Sequence, residues 1–226
     1  MDELPVRHWP PGASAEYLTA RERLLEAEKA LMEQVKAVGE LRRSLPFSTP
    51  VAEYTFVEGP RDLSRGEPLT RPTLADLVGE RSLVVYHLMF DEGWDEACAS
   101  CSMWLDGLHG VSHHLAQVTD FVVVAPAPPD RLRAWARHRG WAGLRLLSCH
   151  GTSFDTDFGA RDDKDNLWPM VSVFGRHDGV VQHFYTTAMI DNSTDLLTPV
   201  WHVEDLLPQG RGDWEPRNSY AGPTRG

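Results

Sequence analysis

The chain has 226 residues, of which 42% are hydrophobic and 24% are charged. This length suits one domain with an additional segment, and the hydrophobic content is enough for a large core. Lys and Arg total 22 against 33 for Asp and Glu, a formal net charge of -11, so the phosphate backbone of a nucleic acid and an anionic membrane are both repelled. The composition therefore excludes nucleic acid as an expected partner.

The cysteine count and the N-terminal sequence indicate the compartment. Three cysteines are present, which is too few and too odd a number for the disulfide framework of a small secreted protein. The chain begins MDELPVRHWPPG, without an apolar core flanked by positive charge, and it contains no run of about 18 apolar residues. We therefore expect a soluble, cytoplasmic protein without a membrane partner.

A long helix is predicted from Ala13 to Leu45, opened by a Pro-Pro-Gly sequence and closed before Pro46. Apolar or aromatic side chains recur along it every seven residues, at Tyr17, Leu24, Leu31, Val38 and Leu45. At roughly 1.5 Å per residue the helix is about 50 Å long, which exceeds the diameter of a small domain. The pattern favours equally a helix that wraps across its own domain and one that pairs with a second subunit, so a homodimer through this helix is one expectation.

The remaining elements alternate between strands and helices. Strands are predicted at Val51–Val57, Ser82–Phe90, Asp120–Ala125, Leu144–Ser148, Met170–Phe174 and Val180–Tyr185, and helices at Thr73–Val78, from Cys98 to about Gln117, at Asp130–Arg139 and at Val200–Leu207. The order strand, helix, strand, helix, strand indicates right-handed crossovers and a mostly parallel sheet, closed by a hairpin. We assign residues 1–50 to a helical arm, residues 51–208 to an α/β domain and residues 209–226 to a C-terminal tail.

Two cysteines spaced three apart open the helix that follows the strand Ser82–Phe90. Residues at this spacing share a helix face about 5–6 Å apart, which lies within the roughly 4.4–6.8 Å Cα separation of a disulfide. Cys98 is nearer the helix start, where free N–H groups and the helix dipole favour a thiolate. We therefore expect Cys98 to attack a substrate disulfide and Cys101 to resolve the mixed disulfide.

This element order is similar to the thioredoxin-like fold, which has a CxxC sequence at the helix after a central strand, a proline before the next-to-last strand and a closing hairpin. More closely, the chain resembles the bacterial DUF899 family of thioredoxin-like proteins. The resemblance covers nearly the whole chain and lies in the segments ARERLLEAEKALMEQV, ELRRSLP, YTFVEGP, LADLVGERSLVVYHLMF, CASCSMWLDGL, GTSFDTDFG and DLLPQGRGDW. The resemblance implies the fold and thiol redox chemistry, and it does not specify a particular reaction.

The resemblance also implies roles for residues near the cysteine pair. The proline before the penultimate strand of a thioredoxin-like fold is usually cis and lies against the CxxC sequence, and Pro169 has that position here. The alternative is a trans proline that begins a strand. A thioredoxin motif has Trp immediately before its first cysteine, where this chain has Ala97. We expect Trp94, Trp168 and Met170 to contact the substrate instead.

Four carboxylates lie in the seven residues before the cysteine pair, namely Asp91, Glu92, Asp95 and Glu96. Negative charge beside a thiolate disfavours it and opposes the helix dipole. One hypothesis is therefore that Cys98 is less acidic than a thioredoxin nucleophile and that the pair is not a strong oxidant. An ordinary polar loop whose acids point into solvent is favoured at least as much.

A metal site is the main competing interpretation, because two thiolates and an imidazole hold zinc or copper. The alternative ligand set is Cys98, Cys101, His87 and His150. His87 lies at the carboxyl end of the central strand and His150 in the loop after residue 148, so both are predicted on the sheet edge where sites gather. For each histidine a structural role is favoured, and apart from this alternative we expect no cofactor.

Two other thiol chemistries are weaker interpretations. A peroxiredoxin has Thr or Ser three residues before its reactive cysteine and a proline further upstream, whereas Asp95 stands at that position and no proline lies between Pro72 and Cys98. Cys149 is a third redox thiol only if its loop folds over the pair, and a buried structural cysteine is its default role.

The sequence therefore predicts an α/β protein of thioredoxin-like type that acts as a dithiol-disulfide oxidoreductase on a small-molecule or protein substrate. A metal-binding protein that uses the same thiols is the runner-up. A non-catalytic assembly protein that acts through the helical arm is the third interpretation.

Overall fold

A computed structural model of the chain describes residues 11–48, 50–189 and 198–220. The chain divides into two compact units, Met1–Pro46 and Phe47–Gly226. No helix in the described part of the chain is long and apolar enough to cross a membrane.

The first unit contains helix α1 (Ala15–Arg43), which is two residues shorter at each end than predicted. Ser14 caps it by accepting a hydrogen bond from the Tyr17 N–H at 3.1 Å. Ion pairs three residues apart support its surface, at Glu26–Lys29, Glu33–Lys36 and Glu40–Arg43. No residue of α1 is buried, and its seven-residue apolar repeat is 40–58% exposed. Pairing of this helix with a second subunit stays a prediction.

The second unit is built on one sheet. Within residues 50–189 its six strands are, in chain order, β1 (Val57–Glu58), β2 (Leu83–His87), β3 (Asp120–Ala125), β4 (Leu146–Ser148), β5 (Met170–His177) and β6 (Val180–Ala188). Their spatial order is β1-β4-β3-β2-β5-β6. The β2–β3 and β3–β4 pairs are parallel, as the strand–helix–strand order predicts.

The prediction of a mostly parallel sheet is wrong, because the outer strands pair in the antiparallel sense. β1 pairs with β4, β5 with β2, and β6 with β5, all antiparallel. β5 and β6 form the longest ladder, joined by Asp178 and Gly179 with φ of 52° and 79°. Positive φ at two successive turn residues is the geometry of a tight hairpin, so both strands extend further than predicted and dominate the pairing.

The remaining helices are α2 (Leu74–Leu77), α3 (Ala99–Gly110), α4 (Ser112–Val118), α5 (Pro129–Arg139), α6 (Phe154–Asp157) and α7 (Pro199–Glu204). Thr73 caps α2 through a capping box with Asp76. The single helix predicted to Gln117 is two helices that meet at Val111. α5 begins at Pro129, one residue earlier than predicted, and Asp130 lies in its first turn.

The predicted strand Val51–Val57 is mostly not a strand. Only β1 forms at its end, while Pro50 and Thr55 make isolated bridges to Gln182 and Thr73. Tyr54 and Phe56 are nevertheless buried. The alternating pattern therefore reports side-chain burial correctly without a continuous backbone ladder.

The core lies in two layers, one on each face of the sheet. The thiol face is covered by α3 and α5 and contains Tyr86, Leu88, Trp104, Leu105, Leu132 and Trp135. The Phe154 face is covered by α2 and α6 and contains Phe56, Leu74, Leu83, Val85, Phe154 and Phe174. Successive residues of a strand point to opposite faces, so β2 directs Tyr86 to the thiol face and His87 to the Phe154 face.

Candidate active site

Cys98 is the N-cap residue of α3, at the point where the chain leaves the central strand β2. Its Sγ accepts a hydrogen bond from the Cys101 N–H at 3.5 Å, and its own N–H donates to the Met89 carbonyl at 3.0 Å. The N-cap position faces the free N–H groups of the first helical turn and the positive end of the helix dipole, both of which stabilise a negative charge.

The two thiols of this pair titrate in opposite directions. A side-chain hydrogen bond from Cys101, together with the backbone N–H groups of Cys101 and Ser100, lowers the pKa of Cys98 to about 6, although burial acts the other way. The same contact with Cys98, together with burial, raises the pKa of Cys101 well above its ordinary range, and a hydrogen bond from Tyr86 opposes this rise. Cys98 is half-buried and Cys101 is only 2% exposed. At neutral pH the negative charge therefore lies on Cys98.

The carboxylates of the preceding loop do not contribute to this balance. Asp91 pairs with Arg161 at 3.0 Å and Asp95 with Arg131 at 3.6 Å. The Glu96 carboxylate accepts a hydrogen bond from Asn218 at 2.9 Å. The causes of the lowered Cys98 pKa include none of these carboxylates, so the geometry favours the ordinary polar loop.

A pocket of about 230 Å³ opens beside the two sulfur atoms. Its walls come from the end of β2, from α3, from the residues before β5 and from the residue after β6: Tyr86, Met89, Trp104, Trp168, Pro169 and Met189. Tyr86 and Trp104 stack with ring centroids 4.4 Å apart and planes 16° apart. The two stacked rings form the wall of the pocket beside Cys101.

Two of the four predicted neighbours of the cysteine pair line this pocket, namely Trp168 and Pro169. Trp94 does not line it; its carbonyl accepts a hydrogen bond from Arg131, and its side chain is 37% exposed. Met170 does not line it either. Met170 shares the strand face of Ser172, which contacts His87 on the Phe154 face, so the side chain lies on the wrong side of the sheet.

The prediction of a cis bond before Pro169 is wrong. Among the described residues the cis peptide bond is Glu67–Pro68, and Trp168–Pro169 is trans. Pro169 directly precedes β5, and its carbonyl accepts a hydrogen bond from the Met189 N–H at 2.7 Å. A proline at the start of a strand needs no N–H for the ladder, which is the alternative that the sequence left open.

The sequence missed several residues of the pocket, above all Tyr86, Met89 and Met189. Tyr86 could have been found from the period-two alternation of β2, since it lies on the same face as Leu88. Met189 carries no such signal, because hydrogen bonding across the β5–β6 hairpin brings it to Pro169.

The alternative metal ligands do not come together. The His87 Nε2 makes a hydrogen bond with the Ser172 Oγ at 2.9 Å, and the ring stacks on Phe154 with centroids 5.3 Å apart. The His150 Nδ1 lies 3.2 Å from the Pro126 carbonyl oxygen. Among the described residues no three His, Cys, Asp or Glu side chains are placed to hold a metal ion.

Cys149 belongs to the Phe154 face and is 2% exposed. Burial raises the pKa of its thiol. A buried, protonated thiol is a poor nucleophile, and Cys149 does not line the pocket beside Cys98. Its default structural role is therefore the one that its surroundings favour.

A dithiol at the start of the helix that follows the central strand, within this sheet, defines a protein of thioredoxin-like fold. The chain belongs to the family described as "Bacterial protein of unknown function (DUF899)", whose model matches residues 7–222. A search of the curated proteins finds no match.

Solved structures that resemble the chain include a protein described as a thioredoxin reductase from Burkholderia cenocepacia, with 14% identity and a TM-score of 0.52 over 69% of this chain and 94% of that chain. The peroxidoxin BcpB from Mycobacterium tuberculosis has 15% identity and a TM-score of 0.47 over 64% of this chain and 86% of that chain. A mutant of PrxQ from Xylella fastidiosa has 10% identity and a TM-score of 0.49, over 65% and 87%. At 14% identity, the likeness to the Burkholderia cenocepacia structure is one of fold.

Proposed function

We propose that the protein is a thiol-disulfide oxidoreductase whose reactive groups are Cys98 and Cys101. One observation carries the proposal: the Cys98 sulfur caps α3 within hydrogen-bonding contact of Cys101, with its pKa lowered to about 6. A thiolate at neutral pH with a second thiol beside it is the arrangement that thiol-disulfide exchange requires.

In the proposed cycle the Cys98 thiolate attacks one sulfur of a substrate disulfide. A Cys98–substrate bond forms, the substrate S–S bond breaks, and the leaving thiolate takes a proton from solvent. Cys101 then loses its proton and attacks the Cys98 sulfur, which forms the Cys98–Cys101 bond and releases the second substrate thiol. Two electrons pass from the protein dithiol to the substrate, and an external dithiol returns them.

The burial of the two cysteines supports this division of roles. Cys98 is half-buried and lines the pocket, so a substrate sulfur can reach it, whereas Cys101 lies behind it at 2% exposure. Trp168 and Pro169 lie on the same pocket and would contact the substrate. The protonated Cys101 becomes an effective nucleophile only after the negative charge on Cys98 has been consumed, because that charge is part of what raises its pKa.

Reduction of insulin disulfides with dithiothreitol as electron donor tests the proposal. We expect turnover by the native protein and a loss of at least ~1,000-fold in the Cys98→Ser variant, since the attacking group is removed. Cys149→Ser is the matched control, a cysteine of the same protein outside the pocket, and should keep the native rate.

A second variant tests the order of attack. Cys101→Ser should accumulate a mixed disulfide at Cys98 that is visible by mass spectrometry of the intact protein. A mixed disulfide on Cys101 in Cys98→Ser at the same rate, or equal turnover of Cys98→Ser and Cys149→Ser, would contradict the assignment.

A further inference from the structure

Apart from the Cys98 thiolate itself, no side chain that lines the pocket is charged among the described residues. The walls named above are aromatic, thioether or proline groups, and the other lining residues are Ser100, Leu167 and Thr198. In a chain that is 24% charged, with a net charge of -11, a reactive thiol whose described neighbours in the pocket are all neutral is a local exception. An anionic ligand loses its hydration there and meets the Cys98 thiolate as a like charge, and a cationic ligand has that thiolate as its counter-charge until the attack on the disulfide consumes it.

The acidic loop that precedes Cys98 would supply negative charge to the pocket if its carboxylates faced the pocket, but they pair with other groups. Asp91 is held by Arg161, and Glu96 by Asn218. The Asp95 side chain is fully exposed beside Arg131. The loop is therefore acidic, like the chain as a whole, but these carboxylates do not add negative charge at the cysteine pair.

The size of the pocket limits its ligand further. Its volume is about 230 Å³, below the range of about 300–1,000 Å³ that is typical of sites for drug-sized ligands. The pocket therefore suits a small ligand.

We propose that the pocket beside Cys98 selects small, uncharged organic disulfides. The inference rests on the proposed function and specifies its substrate class. Cys98 attacks one sulfur of the ligand R–S–S–R, and one R–SH leaves after taking a proton from solvent. Cys101 then displaces the second R–SH, so that the ligand is reduced by two electrons and the protein dithiol is oxidised to the disulfide.

Three disulfides of similar length but different charge test the selection. They are bis(2-hydroxyethyl) disulfide, which is neutral, cystamine, which is cationic, and dithiodipropionate, which is anionic. The reduced full-length protein is mixed with an excess of each, and loss of the dithiol is followed by alkylation and mass spectrometry. Each rate is divided by the rate of dithiothreitol with the same disulfide, which removes the intrinsic reactivity of the substrate.

We expect the normalised rate to be highest for the neutral disulfide, by at least ~10-fold over both charged ones, because either charge is desolvated in the pocket. Steering by the net negative charge alone predicts another order: cystamine first, the neutral disulfide second and dithiodipropionate last. That order, or equal rates for all three, would overturn the inference while leaving the proposed function intact. Failure of every disulfide to oxidise the dithiol would overturn the proposed function itself.

A charge placed on the pocket wall tests whether the pocket causes the preference. Met189→Lys should raise the normalised rate of dithiodipropionate relative to the neutral disulfide by about 10-fold, since the introduced cation pairs with the carboxylate. Met170→Lys is the matched control, because Met170 is a half-buried methionine that does not line the pocket, and its rate ratios should equal those of the native protein. Equal ratios in both variants would locate the preference outside the pocket, and the native series tests selectivity even where a variant fails to fold.

Discussion

The thiol face and the Phe154 face of the sheet each bury a group whose pKa is lowered, with opposite chemical results. On the thiol face, hydrogen bonds from Cys101 lower the pKa of Cys98 to about 6, which produces a charged thiolate at neutral pH. On the Phe154 face, burial alone lowers the pKa of His87 to about 3, which keeps the imidazole neutral. The comparison shows that the cause of a shift, and not its size, distinguishes a reactive group from an inert one.

Access separates the two faces as well. The cavity beside Cys98 measures about 230 Å³, whereas the cavity that His87 lines measures about 10 Å³. The smaller volume has room for no more than one water molecule. His87 is instead satisfied internally, through a chain of hydroxyls. Its Nε2 lies 2.9 Å from the Ser172 Oγ, which lies 2.9 Å from the Thr186 Oγ1, and that oxygen lies 2.6 Å from the Nε2 of His183.

Removal of the central ring of the Phe154 face should have the largest effect on folding and no effect on the Cys98–Cys101 pair. Phe154 is fully buried and contacts Tyr54, Phe56, His87 and Phe158. Phe154→Ala should lower the free energy of unfolding by about 3–5 kcal/mol, measured by urea denaturation. The Cys98 alkylation rate of the folded variant should equal the native rate at each pH, and a shifted pH profile would show that the two faces are coupled.

The next largest effect is expected in the pH dependence of the free energy of unfolding, which should reflect the titration of His87. Its pKa falls from 6.5 to about 3 on folding, so below pH 6.5 the unfolded chain takes up a proton that the folded protein does not. The stability that neutral His87 supports is complete above pH 6.5 and falls by about 1.4 kcal/mol per pH unit as the pH drops towards 3. Between pH 7 and pH 5 we expect a loss of about 2 kcal/mol in urea unfolding.

His87→Gln keeps a hydrogen-bonding group but removes this titration, so its stability should vary less over the same interval. The pKa of His183 is also lowered, mainly by burial, and the matched variant His183→Gln should flatten the profile less because that ring is only half-buried. A profile of His87→Gln as steep as that of the native protein would contradict the assignment of the slope to His87.

A smaller effect is expected where Tyr86 meets Cys101 on the thiol face. The hydrogen bond from Tyr86 opposes the rise in the pKa of Cys101, so Tyr86→Phe should raise that pKa further and slow the step in which Cys101 resolves the mixed disulfide. Loss of one hydrogen bond of about 1 kcal/mol corresponds to roughly 5-fold in rate, measured by single-turnover kinetics. Tyr54→Phe on the Phe154 face removes a hydroxyl that pairs with Asp157 and should leave this step unchanged.

The sequence predicts the parallel inner strands of the sheet well and the direction of the outer strands poorly, for a physical reason. β3 has the predicted bounds Asp120–Ala125, because a wholly apolar run bounded by polar residues and prolines permits one interpretation. The outer strands depend on pairing partners far along the chain. The direction of β1 is set by β4, 91 residues away in sequence (Val57 opposite Ser148), and no local pattern specifies that direction.

The same limit applies to the candidate site. Cys98 and Cys101 are recognisable because three-residue spacing at a helix start is a local property. Met170 directly follows Pro169 in sequence, but strand alternation places it on the Phe154 face, while Met89 and Met189 supply the thioethers of the pocket. Proximity along the chain predicts which loop approaches the cysteines and leaves open which side chains point to them.

The smallest effect on the reactivity of Cys98 is expected from substitutions in the acidic loop before it. The expected lack of an effect is informative, because it tests whether the charge of the loop reaches the thiolate. Asp95 stands three residues before Cys98, but its side chain is fully exposed, and its partner Arg131 lies 3.6 Å away. Because exposed pairs are weak and screened by salt, Asp95→Asn should leave the pH profile of Cys98 alkylation unchanged and its rate within about 2-fold of the native rate. Glu96→Gln, which alters the carboxylate held by Asn218, should behave alike. A shift of either profile to lower pH would mean that the negative charge of the loop reaches the thiolate through solvent. That result would support the hypothesis, drawn from the sequence, that the loop carboxylates make Cys98 less acidic.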